Sequence, residues 1–355
     1  MKYKIVNIND TGDRSVLIIY TGGTFGMIQD ASGALAPFNF GKVVDRVPEL
    51  RQLGIKLTVI SFPKPIDSSN IGIQDWKDMA YIIEENYSQY DAFVILHGTD
   101  TMAYSASMLS YMLHGLNKPV IFTGAQMPIG SIRSDARENL ITALEIAAAH
   151  HEGRPIVSEV CVYFNHLLLR GSRSQKLRSS TFAAFESENY PVLAEAGIEI
   201  EFNYSALKPH DPDAILEVKN KLDANVTILK IFPGITEHAV KGILSDPYIK
   251  GVVLESFGSG NTMKFDWFIE CLSEAIESGK IILNVSQCIG GEVEQGRYET
   301  SKKLNDIGVL SGGDITTEAA ITKMMFLLGS ESKKDSIEEQ LTYSLAGEMD
   351  LLPKE

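Results

Sequence analysis

Short runs of β-branched and aliphatic residues, each followed by a longer segment of helical spacing, recur along most of this chain. That alternation restricts the fold more than any other property. Val16-Leu17-Ile18-Ile19-Tyr20, Lys56–Ile60, Phe93–Leu96, Pro119–Phe122 and Glu159–Phe164 read as strands. Between them, Trp76, Met79, Ala80 and Ile83 recur at helical spacing, Thr101–Leu113 reads as a largely buried helix, and Ser134-Asp135 opens an alanine-rich helix with Glu138 placed for a capping box. The pattern resumes with strands at Val226–Ile231, Gly251–Glu255 and Lys280–Val285. It continues with a helix presenting Phe265, Phe268, Ile269, Leu272, Ala275 and Ile276, and with terminal helices over Thr317–Leu328 and Ser336–Leu345. Such β-α alternation predicts an α/β fold: two α/β domains with mainly parallel sheets flanked by helices. The stretch Asn203 to Asp213, with Pro209 and Pro212 and few large apolar residues, reads as a connection. The expected division is an N-terminal domain over 1–205, a linker over 206–220 and a smaller C-terminal domain over 221–355.

Two of the strands run into hydroxyl-rich turns. Thr21-Gly22-Gly23-Thr24 follows Tyr20, and His97-Gly98-Thr99-Asp100-Thr101 follows Leu96. Parallel sheets bind ligands just outside the carboxyl ends of their strands, so Thr24, Thr99 and Asp100 are expected around one crevice. Glycines at 22 and 23 permit a sharp turn that brings amide N–H groups close to a reacting carbonyl. A threonine hydroxyl is a poor nucleophile at neutral pH and needs a neighbouring base or relay. Thr99 and Asp100 have a competing use, since both residue types favour the N-cap of a helix such as the one beginning near Met102.

The charge balance narrows the partners. With 46 acidic against 32 basic residues the net charge is −14, which argues against general affinity for nucleic acid or anionic membranes. No run approaches the ~18–20 apolar residues that span a bilayer, and the first residues do not resemble a signal peptide; a cytoplasmic protein is expected. Cys161, Cys271 and Cys288 lie far apart in apolar runs and read as reduced and buried. No Cys/His cluster has metal-ligand spacing, and His150-His151 reads as a cationic end to the alanine-rich helix. The chain has no Gly-x-Ser-x-Gly elbow, His-Glu-x-x-His pair or phosphate-binding glycine loop; Gly258-Ser259-Gly260 is followed by Met263 where a dinucleotide fingerprint needs glycine.

The two threonine segments, Thr21 to Met27 and His97 to Tyr104, resemble the two signatures of bacterial-type L-asparaginases, and the resemblance is nearest to the cytoplasmic type I branch. Asp67-Ser68-Ser69-Asn70, Thr123-Gly124-Ala125-Gln126-Met127-Pro128, the stretch Arg170 to Lys176 and the region Tyr298 to Thr317 are similar to further family segments, in the same order. The resemblance implies an asparaginase-like fold, hydrolysis of L-asparagine to L-aspartate and ammonia, no metal or organic cofactor, and a homodimer or homotetramer. By position, Thr24 would be the nucleophile, and Thr99, Asp100 and Lys176 the relay that moves protons. Asp67, Ser68, Ser69 and Thr99 would hold the substrate, Asp100 would oppose its ammonium, and the backbone of Ala125 would touch the leaving amide. Two threonines flank one scissile amide in this scheme, and position alone does not order their attacks.

One departure stands out. Many relatives carry a tyrosine on the loop after the nucleophile, where this chain has Ala34. Tyr298 is the substitute the sequence offers, either completing the site from a neighbouring subunit or packing at an interface. Some type I relatives bind a second asparagine near a basic residue in the segment matching Glu255-Ser256-Phe257, which here is acidic. Alternatives to asparagine hydrolysis are mixed glutaminase-asparaginase activity and a non-catalytic amino-acid sensor on the same fold. A third, the asparaginase-like subunit of archaeal-type tRNA amidotransferases, usually carries an extra N-terminal domain; 20 residues precede Thr21 here.

Overall fold

The structure is a computed structural model that describes residues 3–29, 35–37, 46–295 and 299–350. The chain divides into two compact units, Met1–Val218 and Lys219–Glu355.

The first unit is built on a nine-stranded sheet. Its strands are β1 (Lys4–Asn9), β2 (Arg14–Gly22), β3 (Ile55–Ile66), β4 (Ala92–Leu96), β5 (Val120–Thr123), β6 (Val160–Phe164), β7 (Leu167–Arg170), β8 (Ala194–Ala196) and β9 (Ile200–Phe202). The spatial order is β1-β3-β2-β4-β5-β6-β7-β8-β9, and the central five, β3-β2-β4-β5-β6, are parallel. Val16 to Tyr20 in β2 and Ala92 to Leu96 in β4 are all buried, as expected of strands covered on both faces. Helix α1 (Ile73–Asn86) buries Trp76, Met79, Ala80, Ile82 and Ile83; α2 (Met102–Met112) is buried almost all round; α3 (Ala136–Ala148) turns Leu140, Ala143, Leu144 and Ala147 toward Val16, Ile18, Val94 and Ile121.

Chain order fixes where this sheet can hold a ligand. From β2 the chain goes outward to β3, then crosses back past β2 to β4 and continues to β5 and β6. The direction of winding therefore reverses between β2 and β4. A crevice opens at such a switch point, outside the carboxyl ends of the two strands.

The antiparallel strands β1 and β7–β9 flank the parallel centre of the sheet. Two local expectations are corrected. First, α3 starts without the capping box. Asp135 directs its carboxylate instead to the backbone N–H groups of Gln126 (2.9 and 3.1 Å) and Met127 (3.0 Å), while Ser134 Oγ accepts from Ala136 N–H. Those turn amides have no strand partner, and the Asp135 carboxylate supplies acceptors for both. Secondly, residues 203–213 are docked on the first unit: Ala206 and Leu207 join its core, and the Lys208 N–H donates to Glu159, itself paired with Arg170 at 2.6 Å. Tyr190 Oη and Arg170 Nη2 both donate to the Ala206 carbonyl.

The second unit has a parallel four-stranded sheet of β10 (Val226–Lys230), β11 (Gly251–Ser256), β12 (Ile281–Ser286) and β13 (Leu310–Ser311), in that order. Helices α4 (Glu237–Leu244) and α5 (Asp266–Glu277) bury Val240, Leu244, Phe268, Cys271, Leu272 and Ala275 against Val252, Leu254 and Ile282. Phe265, expected on that buried face, is instead the exposed residue before α5 and stacks on Trp267. Helix α6 (Glu299–Asp306) precedes β13; α7 (Thr317–Ser330) and α8 (Lys334–Leu341) follow it. Lys323 in α7 is wholly buried, 2.7 Å from the wholly buried Glu348, which also accepts from the N–H groups of Leu345 and Ala346. Glu255 pairs with Lys230 at 2.9 Å and accepts from Thr317 Oγ1.

All three cysteines are free, but Cys288 is exposed, because β12 ends at Ser286 and the chain has turned outward. His150 lies just past α3, its Nδ1 2.8 Å from the Ala148 carbonyl at the helix end. Among the described residues no helix is long and apolar enough to cross a membrane, and no cluster of His, Cys, Asp and Glu could hold a metal ion.

Candidate active site

Four strand ends meet at the switch point. Thr21 Oγ1 donates to the Leu96 carbonyl at 3.0 Å, tying the end of β2 to the end of β4. Gly23 N–H donates to the Ile66 carbonyl at the end of β3, and His97 N–H to the Thr123 carbonyl at the end of β5. The glycines make closer contacts than side chains allow. Gly23 has φ +82°, and a methyl group placed on it would sit 2.5 Å from Gly98 Cα; one on Gly98 would sit 2.6 Å from Ser68 Oγ. The residues after the two touching glycines are Thr24 and Thr99, which therefore lie on adjoining turns at the strand ends.

Beneath the second turn lies a buried chain of polar groups. Trp76 Nε1 and Ser105 Oγ are 2.9 Å apart, as are Ser105 Oγ and His97 Nε2; His97 Nδ1 is 2.6 Å from the Gly98 carbonyl. The indole N–H can only donate, so the Ser105 proton goes to Nε2, and His97 carries its own proton on Nδ1 and donates it to Gly98. Burial pushes the His97 pKa from 6.5 down to about 4, against the opposing effect of the Gly98 hydrogen bond. His97 is thus neutral, and it anchors the peptide before Thr99. The unfolded chain takes up a proton below pH 6.5 and the native chain only near pH 4, so stability falls as pH falls through that window. A full native–unfolded difference of one proton is worth ~1.4 kcal/mol per pH unit. Unfolding free energies should therefore drop by about 2 kcal/mol more between pH 6.5 and 5 in the native chain than in His97→Gln. Equal drops, measured by denaturant titration, would remove His97 from this role.

Lys176 comes from a short strand, Gln175–Lys176, paired with Phe185–Glu186. Its Nζ lies 2.8 Å from Thr99 Oγ1 and 2.6 Å from Asp100 Oδ1. The lysine side chain is 15% exposed and the aspartate 64%, so the ion pair faces solvent on its carboxylate side. Neither Thr99 nor Asp100 caps α2: its first turn receives no side-chain cap, and Thr101 Oγ1 donates to the Ser68 carbonyl instead. Ser68 is buried; Asp67 and Ser69 are exposed, with Asp67 Oδ1 accepting from Ser69 N–H at 3.1 Å. Ala125 is buried at the end of β5, and Thr24 is half-buried at the start of a single 3-10 turn, Thr24–Gly26. Of the residues expected at the site, Thr99, Asp100 and Lys176 are in direct contact, and Thr24, Ser68 and Ala125 lie on the turns that converge on them. Ala34 and Tyr298 lie outside the described residues. Sequence reasoning quoted His97 and Gln126 within motifs and Asp135 as a helix start but gave none of them a role at the site; the one available signal was a histidine closing an otherwise apolar strand.

A hydroxyl, an ammonium and a carboxylate in hydrogen-bonding sequence, beside a second hydroxyl on a glycine turn, is equipment for nucleophilic attack on a carbonyl with proton transfer. Comparison with known proteins agrees in class. The asparaginase N-terminal family model matches residues 15–208, and the glutaminase/asparaginase C-terminal domain model matches 225–341. L-asparaginase 1 of Escherichia coli (strain K12) is 37% identical over 338 residues, covering 95% of this chain and 98% of that protein. The crystal structure of L-asparaginase I from Vibrio cholerae is similar with a TM-score of 0.87 at 37% identity, covering 95% of this chain and 99% of that one. A Homo sapiens protein named 60 kDa lysophospholipase is 38% identical over 361 residues, covering 95% of this chain and 62% of that protein. The chain belongs to the asparaginase family.

Proposed function

We propose that this protein hydrolyses L-asparagine to L-aspartate and ammonia through an acyl-enzyme on Thr24. The observation that supports it most is the contact of Lys176 Nζ with both Thr99 Oγ1 and Asp100 Oδ1, at the switch point where Thr24 also lies. Thr24 attacks the side-chain amide carbon, its hydroxyl proton passes to the amide nitrogen, and the C–N bond breaks to free ammonia, with backbone N–H groups holding the developing oxyanion. Ammonia leaves past the Ala125 backbone. Water then adds to the acyl ester, its proton passing through Thr99 and Lys176 to Asp100, and the bond to Thr24 breaks as the Thr24 oxygen regains a proton and L-aspartate is released. Asp67, Ser68 and Ser69 hold the ends of the substrate, and Asp100 opposes its ammonium. The enzyme acts in the cytoplasm as a homodimer or homotetramer.

Ammonia release from asparagine and glutamine, assayed side by side, tests the reaction. A methylene difference is worth about 1–3 kcal/mol of discrimination in a pocket, so asparagine should be the better substrate. No ammonia from asparagine would overturn the assignment.

The binding mode makes a separate prediction. N-acetyl-asparagine cannot present an ammonium to Asp100, and a hydrogen bond to a charged group is worth ~1.5–3 kcal/mol. Its kcat/KM should be lower by about ten- to hundredfold or more. Equal kcat/KM for the two compounds would contradict the role of Asp100 in binding.

A further inference from the structure

Gln126 has no part in the roles assigned above, yet its carboxamide touches the relay. Thr99 Oγ1 donates to Gln126 Oε1 at 3.2 Å, and Gln126 Nε2 donates to the Thr181 carbonyl at 3.0 Å. The backbone N–H of Gln126 is held in turn by the Asp135 carboxylate. These contacts fix the direction of every proton. The Thr181 carbonyl only accepts, so the amide nitrogen faces it and the amide oxygen faces Thr99. A carboxamide oxygen has no proton to give, so Thr99 donates to it. Lys176 Nζ, at 2.8 Å, then donates to Thr99, and one lone pair of the Thr99 oxygen remains.

Thr181 has a second significance. It lies in the turn between Gln175–Lys176 and Phe185–Glu186, a turn closed by the Leu177 N–H donating to the Ala184 carbonyl. One end of the Gln126 side chain thus meets the relay hydroxyl, and the other meets the hairpin that carries the relay lysine. The carboxamide closes a ring of contacts from Thr99 to Lys176, along the hairpin to Thr181 and back.

We propose that Gln126 is a positioning residue for the relay. In the resting site it fixes the Thr99 hydroxyl, whose remaining lone pair accepts from the hydrolytic water, and it keeps the lysine hairpin within hydrogen-bonding reach. As Thr99 takes the proton of the water it turns its own to Lys176, and Lys176 passes one to Asp100. This inference rests on the asparagine-hydrolysing assignment made above. Its effect is on positioning for the chemical step, with little effect on ground-state binding.

The test is a double-mutant cycle with Thr99. Gln126→Met keeps most of the side-chain length and removes both polar contacts. It should lower kcat by about ten- to hundredfold, the scale of a small misplacement of catalytic groups, with KM little changed. Gln126→Glu keeps an acceptor for Thr99 while losing the donor to Thr181, and should recover part of the lost kcat. In a Thr99→Val background, with residual turnover followed using radiolabelled asparagine, Gln126→Met should have almost no further effect, because the group it acts through is gone. Thermal unfolding of each variant separates these losses from loss of fold. Wild-type kcat in Gln126→Met, or the same proportional loss in both backgrounds, overturns the proposal while leaving the hydrolase assignment standing. Undiminished turnover in Thr99→Val alone overturns the relay, and the role of Gln126 with it.

Discussion

Thr24→Ala should lose at least about a thousandfold in kcat, the usual scale for removing a covalent nucleophile, while unfolding at the same temperature as the native chain. The expectation comes from position. Thr24 follows a glycine at φ +82° whose backbone touches the turn bearing Thr99, and it is half-buried at the start of a single 3-10 turn. Truncating a half-buried threonine at such a site removes one hydroxyl and one methyl, a small loss to the core. Fold and activity should therefore separate cleanly. If the variant kept more than a tenth of native kcat, an effect under ~1.4 kcal/mol, the nucleophile would have to be sought elsewhere, with Thr99 first in line. Thr24→Ser, which keeps the hydroxyl, should retain measurable turnover and form the same covalent adduct by mass spectrometry.

Lys176→Met should lower kcat by about 10²- to 10⁴-fold, the range for a lost proton-transfer group, with a much smaller change in KM. Here too magnitudes separate catalysis from folding. The Lys176–Asp100 pair has its carboxylate 64% exposed, and exposed pairs contribute only ~0–1 kcal/mol to stability. Removing the amine leaves Asp100 free to be solvated, so the variant should stay folded. Asp100→Ala should differ in kind, raising KM as well as lowering kcat, because it removes the partner of the substrate ammonium along with a relay member. A Lys176→Met enzyme with near-native kcat would take the lysine out of the mechanism.

The central strands were legible because their signal is local. A run such as Phe93–Leu96, apolar at every position and bounded by a turn, describes a strand covered on both faces without reference to anything distant. The antiparallel strands β7–β9 gave no comparable signal. Two of them are three residues long, with Glu195 and Glu201 among them, and their existence depends on pairing register. Residues 203–213 misled for a related reason. Prolines and polar side chains suggested a free connection, but Ala206, Leu207 and the Lys208 amide find partners in Glu159, Arg170 and Tyr190, which are distant in sequence. Asp135 misled as well: an aspartate before an alanine-rich segment reads as a cap, whereas the amides it satisfies belong to a turn about nine residues away.

The sequence by itself determined the succession of the central strands and the helices between them and the presence of two hydroxyl-bearing turns. It also carried the family resemblance that named Thr24, Thr99, Asp100 and Lys176. Each of these is written in neighbouring residues, through the period of side-chain burial and the few residue types a tight turn accepts. Only the tertiary structure decided that residues 23, 66, 98 and 123 meet, because that depends on β2 lying between β3 and β4. It alone decided which way the protons run from Trp76 to Gly98 and from Lys176 through Thr99 to Gln126. Hydrogen-bond direction is set by what each donor faces across the fold, and residues separated by 27 to 77 positions carry no mark of one another in the chain.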